Sequence, residues 1–244
     1  MEEAEDVFGR IIYAHYKDEE SAHAIEREDG YLDIFSSAQP YFREFDEWSE
    51  LEKESIYYVD GKILDIGCGA GRHCLYLQQN GFDIVGIDSS PLAIKTCKLR
   101  GVKQAKILSI HDITKDIEKF DNICMFGANF GLFGNPSNAK RLLKIFYEIT
   151  SDEGIIIASS NKPYPTTIQR HLNYHELNRS RGRMAGQITM RIRFQHYVST
   201  WMDYLMVTQD EMKEILLDTG WKIQRILELE ELSSFIAVIR KVNV

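Results

Sequence analysis

Two carboxylates and three alternating glycines share the segment Lys62–Asp88, KILDIGCGAGRHCLYLQQNGFDIVGID. Asp65 lies in the apolar run Ile63–Ile66, and Gly67, Gly69 and Gly71 follow, alternating with Cys68 and Ala70. An apolar run that stops at a glycine cluster reads as a buried parallel strand feeding a tight turn. Glycines there allow positive φ and remove the Cβ atoms that would keep a ligand off the backbone, so main-chain N–H groups can face it. A second apolar run, Phe82–Ile87, ends in Asp88, where a carboxylate can accept both hydroxyls of a ribose. The chemistry indicated is the binding of a nucleoside. A dinucleotide fingerprint would need glycine where Arg72 stands, so the pattern is D-x-G-x-G-x-G and not G-x-G-x-x-G.

Those residues need an alternating framework to hold them. Helices are predicted over Arg72–Asn80, closed by Gly81, and over Ser90–Arg100, with serine at the cap, proline in the first turn and Gly101 beyond the end. A third strand is expected over Ala105–Ile110, ending near Asp112, and a fourth over Phe120–Phe126, running into GANFGLFG. A helix from Asn135-Pro136 through Tyr147 and a fifth strand over Gly154–Ser160 follow. Thr208 to Glu211 forms a capping box, and Trp221–Leu227 with Phe235–Val242 make a final antiparallel pair. The alternation implies an α/β fold, a mostly parallel sheet covered by helices on both faces. In such a sheet ligands lie outside the carboxyl ends of the strands, which brings Asp65, Asp88, Asp112 and the Phe126–Asn129 segment together. Residues 1–60 read as a helical extension without strand alternation: Phe8, Ile11, Ile12 and Tyr16 form one stripe, and Phe42, Phe45, Trp48 and Leu51 a second across Pro40–Tyr58.

With 244 residues and 44% hydrophobic content, the chain can bury a full core. Its 29 basic and 37 acidic residues give a net charge of −8, which disfavours polyanionic partners such as nucleic acid. The acidic start lacks the basic and apolar regions of a secretory signal, and no run of about 18 apolar residues occurs, so a cytoplasmic protein without membrane attachment is expected. Cys68, Cys74, Cys97 and Cys124 form no C-x-x-C pair and read as reduced, packed thiols; no metal site is expected.

Loop, strand, terminal acid and the Ser-Ser-Pro helix start together resemble the first two motifs of the class I S-adenosylmethionine-dependent methyltransferases, in GCGAGRH and GIDSSPLAI. The resemblance runs over residues 61–244 and implies a three-layer α-β-α fold whose seven-stranded sheet has its last strand inserted antiparallel. It implies that Asp65 and the backbone of Gly67, Cys68, Gly69 and Gly71 hold the methionine end of S-adenosylmethionine, or of its product S-adenosylhomocysteine. Asp88 and Ser89 would hold the ribose, Asp112 and Ile113 the adenine, and Gly127 to Asn129 would line the methyl region. Methyl transfer from sulfonium is an in-line displacement that needs alignment and a dry pocket. No general base is assigned. The amino-methylating motif Asn/Asp-Pro-Pro-Tyr is missing, its place being taken by Ala128-Asn129-Phe130-Gly131.

An insert over residues 162–203 departs from the minimal family pattern. Between Arg170 and Arg193 it holds six arginines against one acid, Glu176, and Gln187–Tyr197 alternates as a half-buried strand with a basic face. Arginine forks suit a carboxylate or phosphate. A small, anionic methyl acceptor is therefore expected at Arg179, Arg181 and Arg183, with His171, Tyr174 and His175 beside them. Two other functions fit the same residues: an RNA or protein methyltransferase using the insert as its platform, and a non-catalytic nucleotide-binding protein. The oligomeric state and the acceptor stay open.

Overall fold

The computed structural model describes residues 6–229 and 232–242. Helix α1 (Val7–Tyr16) is followed by strands β1 (His23–Arg27) and β2 (Leu32–Phe35), two 3-10 turns, and helix α2 (Glu50–Ile56). The alternating part runs β3 (Lys62–Ile66), α3 (Arg72–Gln79), β4 (Asp83–Asp88), α4 (Pro91–Leu99), β5 (Ala105–Ile107), β6 (Phe120–Met125), α5 (Pro136–Glu148) and β7 (Thr150–Asn161). The insert contributes α6 (Gln169–Ser180), β8 (Gln187–Phe194), β9 (Tyr197–Val198) and β10 (Met202–Leu205), after which come α7 (Gln209–Leu216), β11 (Trp221–Glu228) and β12 (Ser234–Lys241).

The main sheet has seven strands in the order β11-β12-β7-β6-β3-β4-β5. Its pairs are parallel from β7 to β5, and β12 runs antiparallel between β7 and β11. Successive residues of a strand point to opposite faces, and both faces are buried. Leu64, Val85 and Ile123 pack with Leu142 and Phe146 of α5 and Ile215 of α7. Ile63, Ile84 and Cys124 pack with Leu77 of α3 and Ile94 of α4. This is the three-layer class I methyltransferase architecture that the motifs imply, with the antiparallel final strand in its expected place. Among the described residues no helix is long and apolar enough to cross a membrane, and no group of three or more His, Cys, Asp and Glu side chains could hold a metal ion.

The first sixty residues depart from the helical expectation. They contain the hairpin β1–β2, which pairs through β1 with β8 of the insert to give a second, antiparallel sheet, β10-β8-β1-β2, with β9 alongside β8. The hairpin hides in the sequence because β2 is an exposed edge and the outward charges of β1 have their partners 165 residues away, in β8. Pro40–Tyr58 is likewise not one helix. Ser49 caps α2 by accepting from the Glu52 N–H at 3.3 Å, and that box starts a new helix. Phe45 instead stacks on Tyr76 of α3 at a centroid distance of 4.2 Å, and Trp48 meets the same ring edge to face at 5.2 Å. The third strand ends early, at Ile107, because Ser109 Oγ accepts from the His111 N–H and opens the 3-10 turn Ile110–Asp112.

Residues opposite one another on neighbouring strands share a face. Ile25 pairs with Ile192 and Met202 with Met190, while Glu26 pairs with Arg191 and Asp203 with Thr189. The first face, which also carries Arg27, Phe194 and Tyr204, turns toward α1: Ile192 and Phe194 pack on Val7, Ile11 and Ala14. The second face carries Arg191 and Arg193 and turns away from α1.

Candidate active site

The glycine loop is fastened to β4 and bent back on itself. The N–H groups of Gly67 and Cys68 both donate to Ile87 O, at 2.8 and 3.0 Å, and φ is +73°, +55° and +77° at Gly67, Gly69 and Gly71. A side chain at Gly67 would strike Asn129, whose Nδ2 donates to Ile66 O at 2.9 Å and Gly67 O at 3.0 Å. Asn129 thus braces the loop from the end of β6. Asp88 Oδ2 accepts the Gly69 N–H at 3.0 Å, and Oδ1 accepts the Ser90 N–H at 2.9 Å. A carboxylate has about four lone-pair sites, so hydroxyl donors can still be received.

Electrostatics at this edge are set by burial. Desolvation pushes Asp65 up to about 6, against a thiol hydrogen bond from Cys74 Sγ at 3.3 Å. It pushes Asp88 up to about 6 as well, against the Ser90 and Gly69 N–H groups. Under the loop, Cys68 and Cys97 bring their sulfurs to 3.9 Å, and Cys97 donates to Gly69 O at 3.1 Å. A hydrogen bond with Cys74, then burial, raises the Cys68 thiol, and one with Cys68, then burial, raises Cys97. Against a hydrogen bond with Cys68, burial raises Cys74, and burial raises Cys124, all of which fits packed, unreactive groups. Of the other cofactor candidates, Ser89, Asp112 and Gly127 are exposed and Ile113 is buried.

The N-terminal extension reaches the same edge. The buried carboxylate of Asp6 accepts the Gly9 N–H of α1 and, from α4, the Ser90 hydroxyl and the Leu92 N–H, each at 2.9 Å. This one side chain caps α1 and holds it against the start of α4. Phe8 and Tyr41 pack edge to face at 5.2 Å and come within 4.0 and 3.9 Å of the point a Cβ would occupy at Gly69. From the insert, Tyr204 donates its hydroxyl to Ala128 O at 2.5 Å and lays its ring on Gly131. Burial pushes the phenols of Tyr41 and Tyr204 up, and both stay neutral.

Residues 63–154 match the family model described as a methyltransferase domain. Over those residues the chain carries a methyltransferase domain. Its fold is similar to that of a crystal structure of an S-adenosylmethionine-dependent methyltransferase from Bacteroides fragilis in complex with S-adenosyl-L-homocysteine, with a TM-score of 0.85 over 100% of this chain and 98% of that one, at 22% identity. Among curated proteins, 73 residues are 32% identical to a 2-heptyl-1-hydroxyquinolin-4(1H)-one methyltransferase of Mycobacteroides abscessus, covering 30% of each chain. A glycine/sarcosine N-methyltransferase of Halorhodospira halochloris is 29% identical over 102 residues, 39% of this chain and 38% of that protein. The chain spans about a third of the length of these two relatives.

The insert's positive charge is largely answered within the molecule. Arg181 and Arg183 reach Glu28 at 2.9 and 3.3 Å, and Arg191 and Arg193 reach Glu26 at 2.7 and 2.5 Å. Hydrogen bonds from Arg191 and Arg193 hold Glu26 down at about 2. The expected unbalanced patch is thus absent: the hairpin β1–β2 supplies the acids, and the basic face of β8 lies on the side away from α1. Tyr174 donates to Glu28 at 3.0 Å, and His171 Nδ1 lies 3.1 Å from Arg27 Nη1. His175 is buried beside Tyr164. Arg179 stacks 5.9 Å from the Tyr164 ring centroid and has no carboxylate within ion-pair distance among the described residues.

Sequence reasoning missed Asp6, Phe8, Tyr41, Arg27 and Tyr204. Arg27 is buried on the inner face of the small sheet, forked onto Asp29 at 2.8 and 2.7 Å and stacked 4.0 Å from the Tyr174 ring centroid. Only Asp6 carried a local signal, an acid three residues before Gly9 at the head of an apolar stripe.

Proposed function

We propose that the protein transfers the methyl group of S-adenosylmethionine to a small-molecule acceptor held between the glycine loop and the inner face of the small sheet. The observation that carries this reading is the convergence at one sheet edge of Asp88, the Gly67–Gly71 backbone and Asp65, with Phe8 and Tyr41 packed over the loop. Asp65 with Gly67, Cys68, Gly69 and Gly71 is assigned the methionine end, Asp88 and Ser89 the ribose, Asp112 and Ile113 the adenine, and Gly127 the methyl region. Asn129 is assigned to bracing the loop. When bound, the cofactor supplies the electrophilic methyl group; the chain's residues align it and exclude water. The relatives named above are methyltransferases of a hydroxyquinolone and of glycine and sarcosine, which supports a small acceptor.

Residues 6–60 form a cover and residues 162–203 the acceptor wall. Tyr204, Arg27, His171, Tyr174 and His175 belong to that wall. Arg181 and Arg183 hold it together through Glu28, and of the insert's arginines Arg170 and Arg179 are left without an ion pair among the described residues, with Arg179 assigned to meet an anionic group on the acceptor. The neutralised basic face removes the motive for an RNA or protein platform. A cytoplasmic location accords with this reading. Calorimetric titration with S-adenosylhomocysteine and with NAD tests the cofactor; binding of NAD alone would overturn the assignment. Turnover of a metabolite library with S-adenosylmethionine tests catalysis, and cofactor binding with no acceptor methylated would point to a non-catalytic protein.

A further inference from the structure

A separate cavity of about 230 Å³ opens between α1, α4 and the β8–β9 turn. None of the side chains named above for the cofactor or the acceptor lines it, although Phe194, Gln195 and Tyr197 belong to the insert. Arg10 and Tyr13 of α1, Lys95 of α4, and Gln195 and Tyr197 of the turn line it, with Glu19 as its one carboxylate. The two cations are shelved on aromatic rings: Arg10 Cζ lies 4.1 Å from the Tyr197 centroid, and Lys95 Nζ lies 4.8 Å from that of Tyr13. A guanidinium resting on a ring keeps its N–H edge for an acceptor.

That acceptor is missing. Arg10 Nε is buried and has no hydrogen-bond partner. Neither Arg10 nor Lys95 has a carboxylate within ion-pair distance among the described residues, whereas Arg27, Arg72, Arg181, Arg183, Arg191 and Arg193 all do. What sets this pair apart is that both cations line one cavity and that one of them, Arg10, carries the buried unpartnered donor. A buried charged donor without an acceptor is costly, and a bound anion removes that cost.

We propose that this cavity binds a small oxyanion, a carboxylate or phosphate group, with Arg10 and Lys95 as its counter-charges and the tyrosine rings as the supports that hold them. Arg10 belongs to α1 and Lys95 to α4, the same two helices that Asp6 joins through Ser90 and Leu92. A bound oxyanion therefore adds a second fastening between the N-terminal cover and the main domain. The proposal does not depend on methyl transfer.

The test is calorimetric titration of the full-length protein with inorganic phosphate and, separately, malonate, each against chloride at matched ionic strength. Saturable binding of one oxyanion is expected, weakened by about tenfold or more in Lys95→Gln and in Arg10→Gln. A preference for phosphate assigns the site to a phosphate-bearing ligand, and a preference for malonate to a carboxylate-bearing one. Lys95 is exposed, so Lys95→Gln carries the test if Arg10→Gln does not fold. Binding of neither oxyanion above chloride, or variants that titrate like the parent, overturns the proposal.

Discussion

Asp88 is the side chain on which the cofactor reading rests most heavily. It already receives two backbone N–H groups, so its carboxylate is oriented before any ribose arrives. Hydrogen bonds to a charged group contribute about 1.5–3 kcal/mol each, so Asp88→Ala should weaken S-adenosylhomocysteine by roughly tenfold or more. Asp112 is exposed, and Asp112→Ala should cost less; equal or reversed losses in calorimetry would take the ribose role away from Asp88. The raised values of Asp65 and Asp88 add a pH dependence. Donors on the cofactor favour their ionised forms, so affinity is full above about pH 7 and falls as pH drops through about 6. Apo stability moves the other way. The folded values lie above the ordinary aspartate value of 3.8, so this contribution is complete below that value and lost as pH rises through about 6. Titrations between about pH 8 and pH 5 should show a shallower loss of affinity in Asp88→Asn than in the parent. At this scale the sequence was informative where a short motif sets the geometry, as at Gly67, Gly69 and Asp88. It was silent on Tyr41 and Tyr204, whose positions depend on segments far apart in the chain.

Among the elements, β10 packs on the turn that follows β6, through Tyr204 on Ala128 and Gly131. The Tyr204 ring occupies the space a Cβ would need at Gly131. Gly131→Ala should therefore push β10 outward and cost about 1–3 kcal/mol of stability by overpacking. Urea denaturation would measure it, and the double variant with Tyr204→Leu should lose less than the two single changes added together. Additive losses would mean that the ring and the glycine are not coupled. Helices α3, α4 and α5 were legible because caps, proline and glycine mark their ends, and β8 because its alternation is clean. The hairpin β1–β2 was not, since HAIER carries Glu26 on a face where Arg191 and Arg193 neutralise it and buries Arg27 on the other.

Across the whole molecule, the small sheet joins the extension to the insert, and α1 packs on it through Val7, Ile11 and Ala14. These parts should respond to cofactor as one body. Hydrogen exchange with and without S-adenosylhomocysteine is expected to slow in α1, β1 and β8 together, and slowing in α1 alone would contradict a shared cover. The acidic excess of the chain says nothing of this arrangement, because net charge is blind to which acids meet which arginines.

The two-segment sheet also bears on the order in which the chain can be assembled as it is synthesised. Strand β1 leaves the ribosome long before β8, and Glu26 waits 165 residues for Arg191. At about 5–20 residues per second, that gap is roughly 8–33 seconds during which the hairpin has no second neighbour. The main sheet is deferred as well, since β11 pairs only with β12, the last strand in the chain order. A nascent chain halted after β7 would therefore hold a formed glycine loop beneath an unfinished cover, and the early hairpin, with Ile34 76% exposed on its edge, is where a chaperone would be expected to bind.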